Sequence, residues 1–389
     1  MESIFGGFRS FLVGLLGLTW GGALAEVLKD LAVAIGLVLF IVITFMYLTY
    51  LERKVIARLQ DRIGPNRVGP LGLLQPFADA VKMLTKEDIT PLVAERWVYN
   101  LAAIVVIPSA FMAFAVLPFG RGLVPADLNI GILYIFALGS TSAIAIFMAG
   151  WSSANKYALL GAMRAVAQLV SYEIPQVLSV VGVLVLAGSL QMSQIVLAQK
   201  DIPFILLQPV GFALFLIASL AEVARTPFDL PEAESELTAG YHVEYSGLKF
   251  GMFQMAEFVA AFVVAAVAAS LFLGGWLGPV LPDWLWFLLK TYAMVFVMQW
   301  LRGTLPRLRI DQLMNFAWKF LVPVAIINLI VSATVAVLTA SLSGWALFIP
   351  FLIANAVVVL AALFIASASV RSPAPTPVAV ATSAAEIAP

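Results

Sequence analysis

The 389-residue chain contains no cysteine and a single histidine, His242. A thiolate-ligated iron–sulfur cluster, a Cys/His zinc site and a haem held by two histidines are therefore excluded within it. If the chain takes part in redox chemistry, the metal centres belong to partners. Charge is scarce as well: Asp, Glu, Lys and Arg make up 11% of residues, against 62% hydrophobic. The 22 basic and 22 acidic residues cancel, so no global field attracts nucleic acid. With a mean hydropathy of +1.02, a single soluble core is also excluded. Membrane spans of about twenty apolar residues are the alternative.

Apolar runs separated by polar or Pro/Gly-rich breaks predict an all-α integral membrane protein with nine transmembrane helices. They run over roughly 29–50, 97–118, 129–150, 158–187, 206–224, 251–274, 284–301, 318–341 and 345–367. No internal repeat is evident, which argues against an inverted-repeat transporter. Only Arg9, Lys29, Arg121, Lys200 and Lys290 fall on one side of this arrangement. The basic side is then cytoplasmic, the N-terminus periplasmic and the C-terminus cytoplasmic. The membrane domain is 29–367, with cytoplasmic loops at 51–96, 151–157, 225–250 and 302–317. Residues 1–28 imitate a signal peptide, with Arg9, an apolar run from Phe11 and Ala23-Leu24-Ala25. They read as a retained interfacial segment. The Pro/Ala-rich tail 368–389 reads as disordered.

The few charges are not scattered. Glu222, Asp229, Glu232, Glu234, Glu236 and Glu244 crowd one stretch, AEVARTPFDLPEAESELTAGYHVEYSG, interrupted by Pro227 and Pro231. Asp229 and Glu232 resemble a capping box opening a helix. Glu236 fits that account poorly, because it would repel Glu232 one turn away. Glu173 and Glu257 sit at membrane depth, where a carboxylate costs on the order of 2.5–3.5 kcal/mol on insertion scales. Glu222 stands three residues before Arg225, near enough to pair on a helical face. In the first loop Leu73, Leu74, Phe77, Val81 and Leu84 recur at helical spacing, with Asp79, Lys82 and Lys86 opposite. That pattern predicts an interfacial amphipathic helix over 73–86. Positive-inside anchoring accounts for Lys54 and Lys319 and serves less well for Arg53 and Arg302, which lie at helix ends beside acids. A lone loop histidine such as His242 is read as a satisfied polar residue.

The segments ERKVIARLQDRIGPNRVGPLGLLQPFADAVKMLTKE and AEVARTPFDLPEAESELTAGYHVEYSGLKFGMFQMAE resemble the two signature regions of a respiratory complex I membrane subunit, called NuoH in bacteria. The likeness extends to SYE at 171–173 and PRLRIDQLMNFAWK at 306–319, and covers 29–341. The resemblance implies a quinone-channel and coupling subunit of proton-translocating NADH:quinone oxidoreductase in the bacterial cytoplasmic membrane. It is not expected to be active alone. Bacterial members have nine helices and mitochondrial ones eight. Quinone is the implied substrate, while the iron–sulfur clusters and FMN belong to partner subunits. Those partners are the peripheral quinone-site and iron–sulfur subunits and the antiporter-like membrane subunits. The family's quinone chamber maps onto Arg53, Asp79, Lys82, Glu222, Arg225, Phe228, Glu232 and Glu234. Its polar route into the membrane arm maps onto Glu52, Glu173, Asp229, Glu236, Glu257 and Arg302. The rival readings are the membrane anchor of a related hydrogenase- or ferredoxin-linked complex, a solitary transporter and a structural scaffold.

Overall fold

The computed structural model describes residues 21–230, 239–341 and 344–371, with side chains described between Val27 and Ser367. Residues 1–20, the tail from 372, and Glu232, Glu234 and Glu236 with the proposed capping box lie outside the described residues. Everything described is helix or connection, in agreement with the all-α membrane reading.

The first helix, α1 (Gly21–Leu59), is longer at both ends than the span expected over 29–50. No glycine or proline occurs between Gly36 and Gly64, so nothing halts it at the membrane surface. At 1.5 Å per residue it extends about 58 Å, well beyond a bilayer core of roughly 30 Å. Glu52 and Arg53 are therefore on a continuous helix, where a loop from residue 51 was expected. A turn at Asp61, with φ of 51°, and Gly64-Pro65 then reverse the chain. The amphipathic helix forms as α2 (Gln75–Thr85), with Pro76 in its first turn. Phe77, Val81 and Leu84 are exposed on its outer face, the arrangement of a helix lying in a bilayer surface.

Three helices follow in the expected order, α3 (Arg96–Met112), α4 (Gly131–Ser152) and α5 (Lys156–Ala187), and then the seven-residue α6 (Met192–Ala198), which was not expected. The Asn155 side chain caps α5 by accepting from Tyr157 N at 2.9 Å, and Gly188, at φ 66°, ends it. The span expected over 206–224 is broken. A four-residue turn, α7 (Phe204–Leu207), stops at Gln208, and α8 (Pro209–Glu222) starts afresh. The cause is Pro209, which cannot donate a backbone hydrogen bond and restricts the residue before it. The 14 residues of α8 extend about 21 Å, short of a bilayer core. Then come α9 (Gly247–Phe272) and α10 (Asp283–Thr304). Next, α11 (Ile310–Phe316) passes through a π-helical turn into α12 (Val322–Leu338), and α13 (Phe348–Arg371) follows. Eight helices among the described residues are long and apolar enough to cross a membrane. The ninth expected span is the shorter α8.

Two helices organise the bundle. Within its most apolar stretch α9 is 72% buried, against 17% for α1, so α9 is the centre and α1 a flank. It packs on α3, α10 and α1, while α5 packs on α4, α8 and α12. Phe114 stacks on Phe262 of α9 at 5.6 Å between ring centres, and Phe40 of α1 meets both edge-on.

Candidate functional site

Adjacent residues of α1 face opposite surroundings. Glu52 turns inward, 9% exposed. Its carboxylate takes Arg225 at 3.2 Å and also pairs with Arg302 at the end of α10. Arg225 extends its second nitrogen to Glu257 of α9 at 3.3 Å. The guanidinium lies over Phe258, 4.4 Å from the ring centre. Two acids and two bases thus form one partly buried charge cluster joining α1, α9, α10 and the end of α8. Arg53 turns outward, donating to Asp79 of α2 at 2.6 Å, while Lys82 approaches the same carboxylate at 3.8 Å. Gln75 also donates to Asp79, at 3.1 Å. This second cluster borders an open polar hollow lined by Arg62, Arg67 and Asn66.

The expected pairing of Glu222 with Arg225 is replaced by another. Helix α8 ends at Glu222, and Ala224 takes a left-handed conformation, φ 51°. Arg225 therefore leaves the helical register and turns toward Glu52 and Glu257. Glu222 instead accepts from the Gln176 amide of α5. It and Glu257 both line a cavity of about 130 Å³ between α3, α4, α5, α8 and α9. Gln168, Ser109 and Ser142 add the few further polar groups to a wall that is otherwise mostly apolar. Gly139 of α4 makes the room: a Cβ there would sit 3.1 Å from Glu222 Oε1. One residue on, Ser140 donates to Glu173 at 2.5 Å on the outer side of the α4–α5 pair. Glu257 and Glu222 thus share one cavity, and Glu173 stands on the outer side of the helix pair beside it.

Residues 225–230 carry no helix or strand. They form a buried strap. Pro227 O accepts from Leu308 N at 3.0 Å. Asp229 accepts from Arg307 at 2.7 Å. Gln168 donates to the carbonyls of Phe228 and Ala221, both at 2.7 Å. The Phe228 ring, expected to line a chamber, packs against Tyr172 in the core, 5.3 Å between centres. Beyond the undescribed stretch, Tyr241, His242 and Tyr245 are buried again. Tyr245 stacks on Tyr99 at 4.1 Å, and each donates to a backbone carbonyl, Tyr99 to Glu244 and Tyr245 to Tyr99. Burial pushes the Tyr245 hydroxyl above its ordinary range, against the opposing pull of Ser152. It is thus a neutral donor at physiological pH. His242 packs edge-on against Tyr241 and Phe250. The Glu244 carboxylate accepts from the Asn155 amide at 2.6 Å. Among the described acids of this stretch, Glu222, Asp229 and Glu244 each serve a different neighbour.

The reading of the sequence passed over Gln168 and Gln176. The two amides carry no charge and lie in an apolar run. Their eight-residue spacing on α5 was the available signal, since it places both on one face.

Comparison with known proteins gives these residues a context. Residues 32–333 match a family model described as NADH dehydrogenase. A protein of Dehalococcoides mccartyi strain CBDB1, named as the H subunit of NADH-quinone oxidoreductase, is 56% identical over 294 residues, 76% of this chain and 83% of the relative. A protein of the same name from Brevibacillus brevis is 51% identical over 78% of this chain and 92% of the relative. An H subunit of the same enzyme from Geobacter metallireducens is 50% identical, with 78% and 95% covered. The chain therefore belongs to this NADH dehydrogenase family, alongside the proteins named as the H subunit of NADH-quinone oxidoreductase.

Proposed function

We propose that this chain is the quinone-channel and coupling subunit of a proton-translocating NADH:quinone oxidoreductase. In this reading it links quinone reduction at the redox arm to proton movement in the membrane arm. The names of its relatives support the enzyme and its acceptor. The observation that carries the coupling role is the back-to-back geometry of α1. Arg53, with Asp79 and Lys82, faces the outer hollow beside the amphipathic helix, where an isoprenoid tail would find apolar surface and a headgroup would find charge. Glu52 faces the cluster that continues through Arg225 to Glu257 and the cavity shared with Glu222.

Two-electron reduction of a quinone consumes two protons and adds negative charge before they arrive. Charge appearing beside Arg53 and Asp79 alters the balance felt by Glu52, one residue away, and by its partner Arg225. Glu222 and Glu173 then offer protonatable positions leading outward between α4 and α5 toward a partner in the membrane. Glu232, Glu234 and Glu236 join the same reading as acids that respond to quinone chemistry. The electron carriers, FMN and iron–sulfur clusters, belong to partner subunits, as do the antiporter-like pumps. The membrane is the bacterial cytoplasmic membrane, with the basic loops inside.

The test is made in the intact complex. Glu222→Gln keeps a hydrogen-bonding group facing Gln176 while removing the titratable one. Quinone reduction should fall at least tenfold, or proton uptake per electron should drop. Arg53→Ala should raise the quinone KM severalfold with assembly intact. If both variants leave turnover, KM and proton uptake at wild-type values, the reading is wrong.

A further inference from the structure

Away from the charged cluster, the broken helix between α7 and α8 sets two fully buried carboxamides side by side. Gln208 stands at the break and donates through Nε2 to Gly182 O of α5 at 3.0 Å. Asn328 projects from α12. Both are 0% exposed. Gln208 Oε1 and both polar atoms of Asn328 have no hydrogen-bond partner among the described residues. Exchanging the Asn328 nitrogen and oxygen does not help, since neither is satisfied. The neighbouring Asn355 of α13 shows what satisfaction looks like: its Nδ2 donates to Leu207 O and Phe351 O, each at 2.7 Å.

Gly211, on the first turn of α8, brings the orphaned atoms together. A Cβ there would lie 3.2 Å from Gln208 Oε1 and 3.4 Å from Asn328 Nδ2. Gly182 is opposite, where a Cβ would meet Gln208 Oε1 at 3.1 Å. Two glycines thus leave a cradle into which an acceptor and a donor both point. Hydrocarbon cannot satisfy such groups, and buried polar atoms of this kind are normally paired with protein or water.

We propose that Gln208 and Asn328 hold an internal water site of one or two molecules at the α7–α8 break. Water suits the atoms available: it accepts from Asn328 Nδ2 and donates to Gln208 Oε1. A cation would use the oxygens and leave the amide N–H groups unpaired, with no carboxylate in the pair to offset its charge. The site lies apart from the cavity shared by Glu222 and Glu257, whose walls include neither residue.

The experiment is cryo-electron microscopy of the intact complex at a resolution that shows ordered water, for wild type and Gly211→Ala. The expected result is density roughly 2.7–3.2 Å from both side chains, unchanged when sodium is exchanged for potassium, and lost in the variant. A direct Gln208–Asn328 hydrogen bond with no density overturns the proposal. So does density at cation distances of about 2.3–2.6 Å that changes with the ion, or density that persists in Gly211→Ala. Should that variant fail to assemble, Asn328→Leu is read by the same criteria.

Discussion

Glu52 and Arg53 are neighbours in sequence and belong to two electrostatic regimes. Glu52 shares a largely buried cluster in which Arg225 serves two carboxylates at once. Arg53 holds Asp79 at 2.6 Å, closer than Arg225 holds either of its acids, but the Arg53 side chain is 51% exposed. Set against the Arg225 pairs, distance alone would rank the Arg53 pair as the stronger. Solvent reverses the ranking, because an exposed pair is screened, while removing one partner of a buried pair leaves a charge without compensation.

The largest effect that tests this contrast is expected from Arg225→Met. It leaves Glu52 and Glu257 without their shared cation and should cost about 3–5 kcal/mol. The subunit should fail to accumulate in membranes, measured by its abundance and by assembly of the complex. Adding Glu257→Gln should recover part of the loss, because the two sites share one interaction. Next in size is Arg307→Ala, which strips the charged donor from the mostly buried Asp229. A loss of about 1.5–3 kcal/mol is expected, seen as a lower unfolding temperature and easier proteolysis at the 225–230 strap. Arg53→Ala should cost under about 1 kcal/mol of stability while weakening quinone use. If it destabilised the protein as much as Arg225→Met, the contrast between the clusters would collapse. Lys82→Ala, 3.8 Å from Asp79 and 65% exposed, should shift stability by less than about 0.5 kcal/mol.

The same contrast explains how much could be read beforehand. Long apolar runs announce spans because hydropathy is summed over twenty residues, and the amphipathic helix at 75–85 announces itself by period. That summation also hid the break at Gln208-Pro209, whose apolar flanks swamp a single proline. The acidic crowding between Glu222 and Glu244 was visible, but its division among Gln176, Arg307 and Asn155 was not. Those partners are 46, 78 and 89 residues away. The change of partner at Arg225 turned on Ala224, a residue with no reputation for left-handed backbone. Resemblance supplied the residues of the cluster; the fold supplied which of them touch.

Helix α1 runs unbroken through both clusters, and Leu48, 1% exposed, lies one turn before Glu52 on the same buried face. That phase carries a genetic consequence. Each residue advances the helix by about 100°, so inserting or deleting one codon between Leu48 and Glu52 would swing the carboxylate off its arginines. It would bring a neighbouring side chain to the buried face instead. Substitutions along this stretch can be graded by chemistry, but a change of length cannot be absorbed, since no glycine, proline or loop follows until the helix has ended. Lineages of this chain should therefore keep the count from Leu48 to Arg53 constant.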